Sequence, residues 1–249
     1  MSSPDDLEGR SPDDKDGRGL DQLLRTAGEL PAPPPSPDLL RKVGERKAVR
    51  TRSRLGAFAV AGLAGLVCPV VILTQSPMRP DLGALPRAWL YGGALLWGLS
   101  ALTTLAAALV PARGDVLPSG TRAVRMALAA MLALLVFALL GTASVPGQSL
   151  GLAEAHVSLL GSSLKCGGYV FLAAAVMLAT GALVLRRVLP VGARRLGVAI
   201  GAAGGAAGGL ALHVVCPLSV TAHVVVGHVG AVVLAAVAGA ALFWALYDR

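Results

Sequence analysis

The sequence predicts an all-α fold: a polytopic membrane protein with a bundle of six transmembrane helices and a largely disordered cytosolic N-terminal arm. Three observations lead to this prediction. Apolar residues make up 55% of the 249 residues, but the first 54 residues contain no apolar run that could cross a bilayer. Six later runs reach the length of about 20 residues that a helical span needs. Basic residues flank those runs unequally, which indicates an orientation.

The apolar runs should be helices rather than barrel strands. Within lipid, each backbone N–H and C=O must be bonded inside its own segment or in a closed barrel. The runs lack the alternation of apolar and polar residues that is typical of barrel strands. Residues 55–249 are therefore predicted to form one transmembrane domain. Its spans lie at about 55–74, 88–110, 123–143, 167–185, 196–215 and 223–246.

Lysine and arginine in the short flanking loops predict that both termini face the cytosol. One side has only Arg79, Arg87 and Lys165. The other side has many more: Arg41, Lys42, Arg46, Lys47, Arg50, Arg52, Arg54, Arg113, Arg122, Arg186, Arg187, Arg194 and Arg195. The net charge of +8 is thus mainly a topology signal, with added attraction to anionic lipid. No base-reading motif accompanies it, so we expect no direct binding of nucleic acid.

The N-terminal arm, residues 1–54, divides into four parts. Residues 1–19 are acidic and poor in large apolar groups, so we expect disorder. Residues 20–30 predict a short amphipathic helix, and residues 31–37 form a proline spacer. Residues 38–54 predict a basic juxtamembrane helix that Asp38 caps. The start lacks the basic and apolar regions of a signal peptide, so the arm should stay in the cytosol.

Leucines of the short helix share one face. Leu20, Leu23 and Leu24 recur at helical spacing, although so short a helix is only marginally stable alone in water. Two interpretations are open. The arm is a simple tether with a few surface leucines, or its helix folds on a cytosolic partner and buries the leucine face in a groove.

Acidic residues are missing from all six predicted spans. Coupled transporters and proton pumps usually carry ionisable groups near the bilayer midplane. The chain also lacks H-E-x-x-H, G-x-S-x-G and paired aspartates, which intramembrane hydrolases would use. We therefore expect a protein that is not an enzyme. The fifth span is rich in glycine, which favours close helix packing within the bundle.

Two cysteines and three histidines are predicted at the outer boundary. Cys166 opens the fourth span, Cys216 ends the fifth, and His213 stands one helical turn before Cys216. His223 and His228 open the sixth span. Thiolate and imidazole bind thiophilic ions such as Zn or Cu, and thiols also respond to oxidants. The spacing matches no established metal motif, so roles in packing and in satisfying helix carbonyls stay open.

The order of these parts resembles the NrsF-type negative regulators of extracytoplasmic-function sigma factors. The similarity lies in the DQLLRTAGELPAPPP arm, the basic juxtamembrane run, the Gly/Ala-rich helices, Cys166, and LHVVCP followed by two histidines. It covers roughly residues 20 to 246. The family pattern places histidine directly before the cysteine, whereas Val214 and Val215 separate them here.

The resemblance implies an anti-sigma factor in a bacterial inner membrane. Its cytosolic arm would sequester an extracytoplasmic-function sigma factor, and a signal at the outer thiols would release it. The sigma-binding residues implied are Leu20, Leu23, Leu24, Leu30, Leu39 and Leu40. A thiophilic metal ion at Cys166, Cys216 and His213 is one way of sensing, whereas Cys68 is deeper and can be a packing residue. The alternatives are a small-solute channel or a structural subunit of a membrane complex.

Overall fold

The computed structural model describes residues 54–111, 119–142, 152–186 and 192–247. Every long element in these ranges is a helix, and six helices are long and apolar enough to cross a membrane. The predicted all-α, six-helix class is therefore confirmed for this part of the chain. Predictions for the arm up to residue 53, including its leucines, lie outside the described residues.

The helices follow one another with short connections. A 3₁₀ turn, Leu82–Ala84, lies between the first two. The six helices are α1 (Arg54–Gln75), α2 (Arg87–Leu109), α3 (Gly120–Gly141), α4 (Leu152–Leu185), α5 (Ala193–Val215) and α6 (Thr221–Tyr247). The last of these contains a π-helical stretch, Val224–Val229, between two α-helical parts.

The fourth helix is longer than its predicted apolar run. The sequence predicts that Cys166 opens this span, but α4 begins at Leu152, so Cys166 lies inside the helix. The polar residues before Cys166 interrupt the apolar run without ending the helix. Lys165 is exposed, and a long lysine side chain can carry its charge away from apolar surroundings.

Successive helices run in opposite directions, so the bundle has two ends. At one end Thr142, after α3, lies beside Thr221 of α6, with their Oγ1 atoms 2.6 Å apart. At the other end the Tyr247 hydroxyl donates to the Ala182 carbonyl at 2.6 Å. We call the first the cysteine end. The last turns of α1, α3 and α5 and the first turns of α2 and α6 meet there.

Helix α5 lies at the centre and packs against each of the other five helices. Gly197, Gly201 and Gly205 form a row facing α6, and Gly204 and Gly208 face α4. A Cβ atom on Gly197 or Gly201 would overlap a backbone carbonyl oxygen of α6. Small residues at these positions allow the helix backbones to touch. The glycines predicted to aid packing therefore serve contacts within the bundle.

Large apolar side chains cover the outside of the bundle. Leu63 of α1 is 68% exposed, Leu140 of α3 is 71% exposed and Leu234 of α6 is 64% exposed. Water would make such a surface costly, at about 25 cal/mol for each Å² of apolar area. Lipid tails remove that cost. The exposed leucines thus agree with a bundle that is solvated by a bilayer.

We expect Gly201→Ala to destabilise the bundle by about 1–3 kcal/mol, the usual cost of overpacking. The added methyl group would meet the Ala235 carbonyl, which belongs to backbone and cannot rotate away. Thermal unfolding of the purified protein in detergent, followed by circular dichroism, measures the effect. Gly92→Ala is the matched control, because an added Cβ there would have no neighbour within 4 Å. An equal melting temperature for both variants would contradict the proposed packing.

Candidate functional site

Cys216 takes its position from the end of α5. The helix stops at Val215, and Cys216 has extended backbone angles of φ −73° and ψ 120°. Pro217 explains this change, because a proline disfavours helical angles in the residue before it. The Cys216 side chain therefore leaves the helical register and lies against α4 and the start of α6.

Four thiophilic side chains meet at the cysteine end. The Sγ atoms of Cys166 and Cys216 are 3.8 Å apart, and Cys216 Sγ is 3.3 Å from His223 Nε2. With one ring nitrogen of His228, all four ligand atoms lie within 4.8 Å of one another. We call Cys166, Cys216, His223 and His228 the thiol–imidazole group. Cys216 and both histidines are buried, and Cys166 is half-buried.

The π-helical stretch brings the two histidines together. In an α-helix, residues five apart are rotated by about 140° from each other, at about 100° per residue. The wider turn of Val224–Val229, where Gly230 N–H donates to the Val225 carbonyl, reduces that rotation. As a result the rings of His223 and His228 are 5.2 Å apart between centroids. Single π turns of this kind are frequent at functional sites.

Ser163 orients the His223 ring. Its Oγ lies 3.1 Å from His223 Nδ1, on the side of the ring away from Cys216. When Nδ1 carries the proton and donates it to Ser163, Nε2 presents its lone pair to the thiol–imidazole group. A hydrogen bond to the second ring nitrogen is the usual support of a metal-binding histidine.

His213 does not join this group, in contrast to the predicted set of Cys166, Cys216 and His213. Its Nε2 lies 3.1 Å from the Leu90 carbonyl, and its ring is 4.3 Å from Trp89 and 5.8 Å from Phe137 between centroids. His213 and Cys216 would share a helix face only if the helix continued through Cys216. Because the helix ends at Val215, Cys216 turns to α4 while His213 stays against α2 and α3.

Cys68 is not in the thiol–imidazole group. It lies in the middle of α1, next to the internal Pro69. Its Sγ is 3.9 Å from the Leu172 carbonyl of α4, which is at the limit of a weak sulfur hydrogen bond. This environment agrees with a cysteine that packs between two helices.

Arg79 ties two loops together at the cysteine end. Its guanidinium donates to both Asp81 carboxylate oxygens at 2.7 and 2.8 Å, and to Ser219 Oγ at 2.9 Å. It also lies 5.3 Å from the centroid of the Trp89 ring. The Arg79 hydrogen bond is the main cause that lowers the pKa of Asp81. The loop before α2 is thereby attached to the loop that follows Cys216.

The Arg79 contacts were not predicted from the sequence. A signal was available, because Arg79 stands two residues before Asp81 in a proline-containing loop. Such spacing suits a local ion pair, although nothing in the sequence indicates Ser219 as a further partner. Positive charge so close to the membrane interface was used only as evidence of orientation.

The thiol–imidazole group can perform two kinds of chemistry. Two thiolates and two imidazoles can hold a thiophilic metal ion. Two neighbouring thiols can also be oxidised to a disulfide. Both kinds of chemistry would link side chains of α4, the end of α5 and α6.

One family model matches this chain. It is described as NrsF, negative regulator of sigma F, and it matches residues 41–247. The match thus includes all six helices and begins after the leucines of the arm. No curated protein and no solved structure shows a significant match.

We expect Arg79→Gln to lower the stability of the cysteine end by about 1–3 kcal/mol, because it removes buried charge-assisted hydrogen bonds. The Arg79 side chain is 1% exposed, whereas Asp81 is 37% exposed. Asp81→Asn should therefore have the smaller effect. Hydrogen exchange of residues 76–86 and 216–220 measures both. Equal protection in Arg79→Gln and the unmodified chain would contradict the role given to Arg79.

Proposed function

Because this chain belongs to the NrsF family of negative regulators of sigma F, we propose that it is a membrane-bound anti-sigma factor for an extracytoplasmic-function sigma factor. The family match over residues 41–247 is the observation that carries this proposal. The family is a class of regulators, not of enzymes. Six helices that can cross a membrane support a role in holding a partner at a bilayer.

We place the protein in a bacterial inner membrane with the cysteine end outside and both termini in the cytosol. The distribution of positive charge supports this orientation. At the end opposite the cysteines, the described residues include Arg122, Arg186, Arg194 and Arg195. At the cysteine end, Arg79 is buried in its own contacts, so it offers little charge to the lipid surface.

The arm is proposed to hold the sigma factor. An amphipathic helix that buries apolar side chains in a partner's groove is a common mode of recognition. The residues proposed for this contact are Leu20, Leu23, Leu24, Leu30, Leu39 and Leu40. A sigma factor held in this way would be kept from core RNA polymerase.

Release is proposed to begin at the outer thiols, in response to stress. Cys166 and Cys216 are the sensing residues, and the outer histidines His213, His223 and His228 assist them. The short distance between the two Sγ atoms, 3.8 Å, supports a joint role. A tenfold lower affinity for the sigma factor requires only about 1.4 kcal/mol of coupling between the thiols and the arm.

We expect the double variant Leu23→Asp with Leu24→Asp to lose the sigma factor. Each leucine contributes about 1.5–3 kcal/mol when fully buried, so affinity should fall at least about tenfold. The measurement is co-purification of the sigma factor with the full chain from native membranes, followed by mass spectrometry. Leu7→Asp is the matched control, because Leu7 lies in the acidic start of the arm.

Two results would contradict the anti-sigma proposal. One is that no sigma factor co-purifies with the unmodified chain and that deleting its gene leaves the target genes silent. The other is solute flux through reconstituted liposomes that persists without residues 1–53. That second result would favour the channel alternative.

We expect Cys166→Ser and Cys216→Ser to change the induction of target genes by stress, whereas Cys68→Ser should leave it unchanged. The first two belong to the thiol–imidazole group, and Cys68 does not. A transcriptional reporter measured with and without oxidant or metal tests each single variant. Normal induction in all three variants would make the thiols packing residues.

A further inference from the structure

We propose that Cys166, Cys216, His223 and His228 form a binding site for a divalent thiophilic cation of the Zn²⁺ type. The proposal deepens the sensing step of the proposed function, because it assigns two specific histidines as ligands and a class of ion. Binding of the ion itself does not depend on the sigma factor.

The distances suit a tetrahedral ion. Zinc binds sulfur at about 2.3 Å and histidine nitrogen at about 2.0–2.1 Å. A tetrahedral arrangement with these bonds places two sulfurs about 3.8 Å apart and sulfur and nitrogen about 3.5 Å apart. The structure has 3.8 Å between the two Sγ atoms and 3.3 Å between Cys216 Sγ and His223 Nε2. The remaining distances among the four ligand atoms are at most 4.8 Å, so modest side-chain adjustments complete the tetrahedral set.

The distance between the two Sγ atoms does not separate a metal ion from a disulfide. At 3.8 Å it is the contact distance of two unbonded thiols, and a disulfide would shorten it to about 2.05 Å. A disulfide would, however, leave both buried histidines without a role. The two histidines beside the thiols therefore favour a metal ion.

His228 is buried, with 3% of its surface exposed, and among the described residues its Nε2 atom has no hydrogen-bond partner. One of its ring nitrogens lies within 4.8 Å of the other three ligand atoms. The burial of this imidazole beside two thiols therefore suits a metal ligand.

Charge selects the class of ion. Cysteine binds as thiolate and histidine as neutral imidazole, so binding releases protons from the two thiols. Two thiolates with a divalent cation give a neutral unit, whereas a monovalent ion such as Cu(I) would leave one negative charge. An uncompensated charge is expensive in a buried, low-dielectric site. A divalent d¹⁰ cation is therefore the best match to three buried ligands and one half-buried ligand.

The metal site is tested with the full chain, purified in detergent, reduced and stripped with a chelator. We expect one Zn²⁺ per chain after gel filtration, measured by elemental analysis. Co²⁺ should give a thiolate charge-transfer band and the strong visible bands of a tetrahedral site. His223→Gln and His228→Gln should lower Zn²⁺ affinity at least about tenfold, since even loss of an outer-shell partner costs about 10–100-fold. Ser163→Ala should lower it about tenfold.

His213→Gln is the matched control, because His213 is also a buried histidine of the cysteine end, but its Nε2 lies against the Leu90 carbonyl and outside the thiol–imidazole group. Its affinity for Zn²⁺ should equal that of the unmodified chain. The proposal is overturned if Zn²⁺ does not bind, if Co²⁺ shows an octahedral spectrum, or if His213→Gln weakens binding as much as His228→Gln. Formation of a Cys166–Cys216 disulfide without metal binding to the reduced chain would overturn it as well.

Failure of the metal site and failure of the anti-sigma proposal give different results. If the sigma factor co-purifies but Zn²⁺ does not bind, only the metal site is wrong. If Zn²⁺ binds but no sigma factor is held, only the anti-sigma function is wrong. The Co²⁺ spectrum of the unmodified chain keeps the test decisive if a histidine variant does not fold.

Discussion

Direct contact between the backbone of α5 and its neighbours is the constraint on which the rest of the bundle depends. The glycine row Gly197, Gly201 and Gly205 lets α6 approach to the point where an added Cβ atom would overlap its backbone or side chains. In a bilayer, apolar side chains gain little by leaving lipid, so such close packing and internal hydrogen bonds hold the helices together. Because α5 contacts every other helix, its position sets where Cys216 meets α4 and α6.

The cysteine end differs from the rest of the bundle because polar groups are concentrated there. Buried histidines and Arg79 lie among apolar residues, and each needs a partner that compensates for lost water. Arg79 donates hydrogen bonds to Asp81 and Ser219, and His213 Nε2 lies within hydrogen-bond distance of the Leu90 carbonyl. His223 has Ser163 on one ring nitrogen and Cys216 on the other, and His228 lies beside His223 and the thiols. The thiol–imidazole group is thus a cluster of buried polar side chains at the point where α4, α5 and α6 meet.

The sequence predicted the six helices well, because length and apolar content decide which segments cross a membrane. It failed at two places where hydropathy carries no information. Helix α4 continues through Ser163 and Lys165, since these residues interrupt an apolar run but not a helix. The predicted metal set of Cys166, Cys216 and His213 also differs from the group in the structure. His223 and His228, both predicted as sensing residues, lie beside the thiols, and His213 does not. Pro217 follows the end of the helix, so His213 and Cys216 do not share a helix face. No sequence pattern predicts the π turn that places the rings of His223 and His228 side by side.

The proposed release requires a change at the cysteine end to reach the arm, and helix α1 is the direct connection between them in the chain. It follows the arm directly in the chain and ends at Gln75, shortly before Arg79. Arg79 in turn holds Ser219, three residues beyond Cys216. A ligand at Cys216 therefore acts next to a loop that is hydrogen-bonded to the loop following α1. Coupling of about 1.4 kcal/mol changes affinity tenfold, which is no more than a buried hydrogen bond to a charged group contributes. The free energy of the Arg79 contacts is thus large enough for the proposed release.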